Sequence, residues 1–222
     1  MIFRDRQDAG QQLARRLRHL ANEHPLVLAL PRGGVPVAFE IATALKADLD
    51  LLFVRKLGAP GHEELGLGAV VDGADPQLVL NEDIVRDLAP SPNYLHAEMQ
   101  RQLAEITRRR EIYMHGIPPI DVARRTVILV DDGIATGGTV RAALKGLRKL
   151  GPARLILAVP VGPPDMLAKL RQECDELVCL AEPAPFFAVG AHYGYFDQTS
   201  DEEVVRLLQQ ARLEKAGSAA AR

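Results

Sequence analysis

The sequence has few cysteines, almost no net charge and no long apolar run, and each absence narrows what the protein can be. Cys174 and Cys179 are its two cysteines; their spacing is not that of a zinc pair, and we assign them no chemistry beyond small buried side chains. No segment approaches the roughly 18 apolar residues of a membrane helix, and the N-terminus has no apolar signal core, so we expect a cytoplasmic protein. The formal net charge of −2 gives no overall attraction to nucleic acid or to a membrane surface.

The remaining composition is that of a globular protein, with 47% hydrophobic and 25% charged residues in a chain of 222. This length fits one domain with a small flap. Apolar strands alternate with helices, which predicts an α/β three-layer sandwich with a central, mostly parallel sheet. We expect one domain over residues 1–222, with a core at about 8–181, a mobile lid loop at 57–68, a hood at about 182–200, and a C-terminal helix and tail at 201–222.

Periodicity and turn residues predict the individual elements. The expected helices cover residues 8–23 with Asp8 as N-cap, 35–47, 92–115, a helix ending at 150, 164–173 and 201–213, followed by a frayed tail. The expected strands cover residues 26–30, 49–54, 127–130, 154–161 and 176–180, with a short hairpin pairing 69–71 with 77–80. The run Arg108, Arg109 and Arg110 in the long helix has two interpretations, a basic patch or, preferred here, a solvated helix face.

The most informative stretch is residues 127–139, which reads VILVDDGIATGGT. Branched aliphatic residues predict a buried strand that delivers Asp131 and Asp132 to its carboxyl end, where open parallel sheets bind ligands. Paired carboxylates can accept hydrogen bonds from vicinal hydroxyls. The glycine and threonine turn that follows offers backbone N–H groups and a helix N-terminus to a phosphate. Because adjacent like charges are unfavourable unless something uses them, we interpret this stretch as a sugar-phosphate site.

Two further loops are predicted to meet the same edge of the sheet. The turn Pro31-Arg32-Gly33-Gly34 offers a guanidinium and two residues whose bare backbone lets an anion approach. Arg55 and Lys56 place two cations at the end of the neighbouring strand. Each loop is weak evidence alone, since such turns and exposed cations are often structural. Together they describe a diol site flanked by anion sites.

Residues 127–139 resemble the phosphoribosyl pyrophosphate (PRPP) signature of the type I phosphoribosyltransferases. The turn at 31–34 is similar to the pyrophosphate loop of that family, and Arg55-Lys56 precedes its flexible loop, so the resemblance covers about residues 26–180. It implies that Asp131 and Asp132 bind the ribose hydroxyls, that residues 135–139 wrap the 5-phosphate, and that Arg32, Gly33 and Lys56 hold pyrophosphate. The implied PRPP-contacting set is Arg32, Gly33, Gly34, Arg55, Lys56, Asp131, Asp132, Ile134, Ala135, Thr136, Gly137, Gly138 and Thr139, with Arg32, Lys56, Asp131 and Asp132 as the catalytic residues.

The resemblance also implies a reaction, in which a nitrogen nucleophile displaces pyrophosphate from the ribose C1. Mg²⁺ is the expected cofactor, bound mainly through PRPP and in part through Asp131 and Asp132. The lid loop is expected to exclude water. His62, Glu63 and Glu64 within it either assist proton transfer or are solvated loop charges. Family members often have a non-proline cis peptide bond in the pyrophosphate loop, and they favour a homodimer.

The sequence departs from the family pattern where the acceptor would be recognised. Ala135 occupies a position that is acidic in the hypoxanthine-guanine branch, so no base is supplied there and the acceptor is not identified. Five aromatic residues of the predicted hood either stack on a flat ring or form that segment's own core, the second being preferred: Phe186, Phe187, Tyr193, Tyr195 and Phe196. His192 among them is either a ring contact or, more commonly, structural.

Three functions are compatible with these residues. The first is a PRPP-dependent transferase acting on a nucleobase or similar ring. The second is a PRPP-binding regulator of the same fold, which would need a nucleic-acid surface such as Arg101 with the run 108–110; the absence of a helix-turn-helix pattern disfavours it. The third is PRPP synthesis, for which the chain is short.

Overall fold

The chain is organised by two sheets within residues 2–220, which the computed structural model describes without the side chains of residues 62–65 and 217–220. The helices are α1 (Arg6–Arg16), α2 (Gly34–Leu45), α3 (Glu82–Leu88), α4 (Pro92–Met114), α5 (Gly138–Lys149), α6 (Pro164–Leu170) and α7 (Asp201–Ala220), with 3₁₀ turns at Arg18–Glu23 and Val189–His192. The strands are β1 (Leu26–Ala29), β2 (Asp48–Leu51), β3 (Val54–Ala59), β4 (His62–Val71), β5 (Gln77–Leu80), β6 (Thr126–Val130), β7 (Arg154–Val161) and β8 (Glu176–Ala181).

The larger sheet is parallel throughout, in the order β2-β1-β6-β7-β8. Its inner strands are buried on both faces, and alternate residues enter different cores. Val27 and Ile128 pack with α1, α2 and α7, whereas Leu26 and Val127 pack with α5 and α6. This arrangement explains the continuous aliphatic runs, and it places the carboxyl ends of β1 and β6 side by side.

The smaller sheet is antiparallel, in the order β3-β4-β5, and it corrects one prediction. Residues 57–68 are not a loop: most of them form the β3–β4 hairpin, with register shifts at Leu57, Gly58 and Ala59. Arg55 and Lys56 consequently lie within β3 of this sheet, not at the end of a strand of the parallel sheet. The predicted pairing of 69–71 with 77–80 is confirmed by β4 and β5.

Several boundaries also differ from the prediction. Helix α1 begins at Arg6 with Asp5 as its N-cap, whose side chain accepts from the N–H of Asp8, so Asp8 is not the cap. The predicted strand 49–54 is split, since β2 ends at Leu51 and β3 begins at Val54. Helix α3 was not predicted at all. Helix α6 ends at Leu170, and α7 continues to Ala220 where a frayed tail was expected.

A buried ion triad joins the two sheets to α4. Arg110 donates to both carboxylate oxygens of Asp50, at 2.8 and 2.9 Å, and to Asp72 at 2.9 Å. Asp50 lies in β2, and Asp72 directly follows β4. Neither interpretation of the arginine run therefore holds for Arg110, while Arg108 and Arg109 form exposed pairs with Glu105. The triad fixes the smaller sheet beside the larger one.

Candidate active site

Asp131 and Asp132 directly follow β6, the central strand of the parallel sheet. Because β1 pairs with β6, the turn that follows β1 meets the two carboxylates. The approach is so close that a Cβ at Gly33 would collide with the carboxylate of Asp132, and glycine there is a steric requirement. The Pro31–Arg32 peptide bond in this turn is cis, as the resemblance implied. The structure thus brings the predicted diol and pyrophosphate loops together.

Burial raises the pKa of both carboxyl groups. At Asp131 burial is the main cause and repulsion from Asp132 adds to it, so that its pKa lies well above the usual range. Burial also raises the pKa of Asp132, although a hydrogen bond and the charge of Arg6 offset part of the effect. The pair therefore carries negative charge that is poorly solvated and only partly balanced. Such a pair favours ligands that supply hydroxyl donors or positive charge.

Replacing Asp131 by asparagine is expected to stabilise the free protein at neutral pH. A carboxyl whose pKa is raised by folding binds its proton more tightly in the folded state, so the free energy of unfolding falls as the pH rises above the unfolded pKa of about 3.9. Asparagine retains an oxygen for the N–H of Asp132, which lies 2.9 Å from Oδ1 of Asp131. We expect Asp131→Asn to add about 0.5–2 kcal/mol at pH 7, and this advantage to vanish below about pH 4. Urea unfolding in metal-free buffer between about pH 3 and pH 8 measures both; equal stability at pH 7 would contradict the assignment.

Two side chains that sequence analysis missed hold Asp132. Nε of Arg6, in the first turn of α1, lies 2.8 Å from Oδ2 of Asp132. The hydroxyl of Tyr193 donates to the backbone carbonyl of Asp132 at 2.6 Å. Both residues are more than 60 positions away along the chain, and no local pattern links them to the signature segment.

The turn after Ile134 leads into a helix start that has no side-chain cap. Gly137 is the N-cap of α5, with φ of 72°, and a Cβ there would lie 2.6 Å from Sδ of Met166. Since glycine supplies no capping oxygen, the first N–H groups of α5 have no side-chain partner among the described residues and can meet an anion. Ala135, Thr136, Gly138 and Thr139 are all exposed around this helix start.

Lys56 faces this helix start across a cleft of about 800 Å³. Lys56, Gly66 and Gly68 line it from the smaller sheet, and Thr136 and Thr139 are among the residues that line the other wall. The smaller sheet therefore acts as one wall of the cleft and carries a cation into it. The structure brings Lys56 to the predicted phosphate loop from a different sheet than the sequence suggested.

Arg32 is held on the side of the turn that faces α7. Its NH1 lies 3.2 Å from Oδ1 of Asp201, and the same oxygen accepts a hydrogen bond of 2.6 Å from the hydroxyl of Tyr113. About a third of the Arg32 side chain is exposed, at 35%. Arg32 therefore has a fixed support and retains donors that can meet an anion.

Two members of the predicted set do not present their side chains to the site. Arg55 points to the opposite side of β3 from Lys56, where its Nε donates to Oε1 of Gln102 at 3.1 Å. Ile134 is buried, and its N–H donates to the carbonyl of Val161 at 2.8 Å. The side chains of His62, Glu63 and Glu64 lie outside the described residues.

The hood segment is largely irregular, and part of it forms a core of its own. Tyr193 is buried between Phe3 and Phe196, with ring centroids 5.3 and 4.9 Å away. His192 stacks on Phe186 at 5.3 Å. The core interpretation is confirmed for these residues, whereas two aromatic side chains remain exposed: Phe187 at 84% and Tyr195 at 70%.

Within the described residues, no three His, Cys, Asp or Glu side chains are grouped to hold a metal ion. The paired carboxylates nevertheless fit Mg²⁺, which is commonly bound through one or two protein carboxylates together with substrate phosphates and water. Their charge is partly balanced by the nearby guanidinium of Arg6. Among the described helices, none is long and apolar enough to cross a membrane.

Fold and site together place this chain among the α/β proteins whose ligand site lies at the carboxyl edge of a parallel sheet. The model of the phosphoribosyl transferase domain matches residues 5–195, and the chain belongs to this family. Both the family and the type I phosphoribosyltransferase-like fold predicted from the sequence are thereby confirmed.

The chain is also similar to individual proteins and to a solved structure. A protein of Mycobacterium tuberculosis, provisionally named a phosphoribosyl transferase, is 48% identical over 219 residues, covering 99% of this chain and 49% of that protein. Curated relatives that match nearly all of this chain are about twice as long, so the chain spans about half of their length. The crystal structure of TT1426 from Thermus thermophilus superposes with a TM-score of 0.83 at 43% identity, covering 95% of this chain and 99% of that one. A pyrimidine operon regulatory protein of Lactococcus lactis is 58% identical over 43 residues, which is 19% of this chain and 25% of that protein.

Proposed function

We propose that this protein transfers the 5-phosphoribosyl group of PRPP to a nitrogen nucleophile, with release of pyrophosphate. The observation that supports this most directly is the meeting of two loops: the glycine turn after β1, and the loop after β6, which carries both carboxylates and leads into the uncapped start of α5. The carboxylates suit the ribose diol, the glycine turn suits the pyrophosphate, and the helix start suits the 5-phosphate; these are the three polar parts of PRPP.

In this proposal each polar part of PRPP is bound by its own residues. Asp131 and Asp132 accept hydrogen bonds from the ribose hydroxyls, and the N–H groups and hydroxyls of residues 136–139 receive the 5-phosphate. Arg32 and Lys56 bind the pyrophosphate and stabilise the charge that it gains as the C1–O bond breaks. The nitrogen of the acceptor forms the new bond to C1 and loses its proton. Mg²⁺, held by PRPP oxygens and by Asp131 and Asp132, would supply further charge neutralisation on the leaving group.

The acceptor is proposed only as a nitrogenous ring or similar nucleophile. Ala135 is exposed at the helix start and has no ionisable group, so the turn itself provides no base for the acceptor. The proton that the acceptor nitrogen loses must therefore go to a group outside this turn or to another atom of the acceptor. A cytoplasmic location and a homodimer belong to the same proposal.

A release assay tests the proposed activity. The protein, PRPP and Mg²⁺ should be incubated with purines, pyrimidines and other nitrogen nucleophiles in turn, with enzymatic detection of pyrophosphate. We expect release with at least one acceptor, in a ratio of one pyrophosphate for each nucleotide formed. A screen in which PRPP binds but no acceptor causes release would contradict the transferase and favour the PRPP-binding regulator.

The regulator remains the second candidate because of the similarity to the Lactococcus lactis regulatory protein. The arginine run offers it little surface, since Arg110 is buried and Arg108 and Arg109 are paired with Glu105. If the protein is a PRPP-binding regulator, we expect it to bind RNA or DNA in a salt-sensitive way, which gel-shift titrations at two ionic strengths would measure.

A further inference from the structure

Arg6 is an arginine built into the candidate site, although it lies outside the three predicted loops. Its side chain is 12% exposed, and the side chain of its partner Asp132 is 15% exposed. Near-complete burial of both charges is costly unless the pair is well hydrogen-bonded, so the structure has retained this contact at an energetic cost. A surface pair formed by chance would not carry that cost.

Arg6 is fixed by groups other than Asp132. Its NH1 donates to the backbone carbonyl of Asp197 at 2.7 Å, and its guanidinium carbon lies 3.9 Å from the ring centroid of Phe196. Phe196 stacks on Tyr193, which in turn donates to the backbone of Asp132. The guanidinium is therefore held from two further directions by the hood.

The start of the chain is attached to the same hood. The N–H groups of Ile2 and Phe3 both donate to the carbonyl of His192, and the N–H of Gly194 donates to the carbonyl of Phe3. Asp5 then caps α1 and sets Arg6 as its first residue. These backbone hydrogen bonds fix the position of the Arg6 backbone, and the contacts with Asp197 and Phe196 fix the position of its guanidinium.

The contact leaves Asp132 with one oxygen to offer. Oδ2 accepts from Arg6 and lies against Gly33, while no side chain among the described residues donates to Oδ1. The contact also supplies positive charge beside two adjacent carboxylates. An orienting partner of this kind commonly sets the geometry and the strength of a binding carboxylate.

We propose that Arg6 is a positioning residue for PRPP: it holds Oδ2 of Asp132 so that Oδ1 meets a ribose hydroxyl, and it thereby couples the hood to PRPP binding. This inference rests on the proposed function. An alternative is that Arg6 is a latch that competes with the ligand for Asp132. The hydrogen bond to Asp197, the ring of Phe196 and the anchored start of α1 all favour a fixed support over a side chain that swings away.

The test compares Arg6→Met with Arg4→Met as its matched control. Arg4 lies two residues earlier in the same segment, and its side chain is exposed and paired with Asp5. PRPP affinity is measured by calorimetry with Mg²⁺, and steady-state kinetics give KM for PRPP and for the acceptor separately. We expect Arg6→Met to weaken PRPP binding about 10- to 100-fold and to raise KM for PRPP, with KM for the acceptor unchanged. Arg4→Met should match the wild type in all three values.

Four outcomes would overturn the inference, and each has a distinct meaning. Unchanged PRPP affinity in Arg6→Met would show that Arg6 is only structural, and tighter binding would show a latch. A rise confined to KM for the acceptor would place Arg6 at the acceptor instead. If the wild type itself does not bind PRPP, the proposed function fails and this inference fails with it.

A second variant keeps the test decisive if Arg6→Met does not fold, which thermal unfolding would reveal. Arg6→Lys keeps the charge and the aliphatic stem, but a single ammonium cannot reproduce the fork that reaches both Asp132 and Asp197. We expect a folded Arg6→Lys to bind PRPP more weakly than the wild type and more tightly than Arg6→Met. Wild-type affinity in Arg6→Lys would overturn the inference.

Discussion

Replacing Asp131 and Asp132 together by asparagine should reduce PRPP-dependent pyrophosphate release by roughly 10²- to 10⁴-fold. Each carboxylate is proposed to form a charge-assisted hydrogen bond to the ribose, and such bonds contribute about 1.5–3 kcal/mol each. Two of them amount to about 3–6 kcal/mol, and each 1.36 kcal/mol corresponds to a factor of ten in rate. The substitution also removes the negative charge that would favour both the sugar cation and Mg²⁺.

The measurement is initial rate of pyrophosphate release with the acceptor that the screen identifies. A matched control is Asp87→Asn with Asp121→Asn, which removes two exposed carboxylates outside these loops. The control should retain wild-type rates. Asparagine is close in shape to aspartate, and neutralising Asp131 is expected to stabilise the fold, so lost activity cannot be attributed to unfolding if thermal unfolding is unchanged or improved. Full activity in the double variant would refute the assignment of both residues.

The sequence predicted that the turn after β1 and the carboxylates after β6 lie together, because local chemistry and strand order determine this part of the candidate site. Four branched or long aliphatic residues in a row, Val127 to Val130, favour a buried strand, and carboxylates at its end then lie at the ligand edge of the sheet. The glycine turn could be paired with them because successive strands of a parallel sheet end at one edge. The structure also explains why residue 33 is a glycine, since the carboxylate of Asp132 leaves no room for a Cβ there.

The supports of the site could not be predicted in this way. Arg6 and Asp132 are separated by 126 positions, and nothing in the first six residues marks a contact with the signature. Asp201, which holds Arg32, lies 169 positions beyond it. Contacts of this kind depend on the packing of α1, the hood and α7 against the sheet, and a single sequence carries no local sign of them.

The β3–β4 hairpin of the smaller sheet was missed for a different reason. Residues 57–68 contain Gly58, Gly61, Gly66 and Gly68 with a proline, a composition that ordinarily indicates a loop. In the structure a Cβ at Gly68 would collide with the backbone of β5, so this glycine permits close strand packing. Tertiary contact thus overrides the local signal. The consequence for function is that Lys56 is carried by a sheet, whose placement depends on what anchors it.

Replacing Arg110 by methionine should destabilise the protein by about 3–5 kcal/mol, because it leaves two buried carboxylates without their cation. The side chains of Asp50 and Asp72 are 1% and 7% exposed, and burial already raises the pKa of Asp72. Asp50 additionally accepts the N–H groups of Leu51 and Ile120, so it cannot turn away to water without breaking the backbone around it. Denaturant unfolding measures the loss directly.

The neighbouring arginine provides the control for this prediction. Arg109→Met removes an exposed pair with Glu105, 43% and 28% exposed, and should cost less than about 1 kcal/mol. Comparable losses in the two variants would show that the triad has no special role. Since Arg110 joins α4 to Asp50 of β2 and to Asp72 beside β4, its loss should also loosen the sheet that carries Lys56. We therefore expect KM for PRPP to rise in any folded fraction of Arg110→Met, while Arg109→Met keeps the wild-type value, because the anchor of the cleft wall lies at residue 110 and not at residue 109.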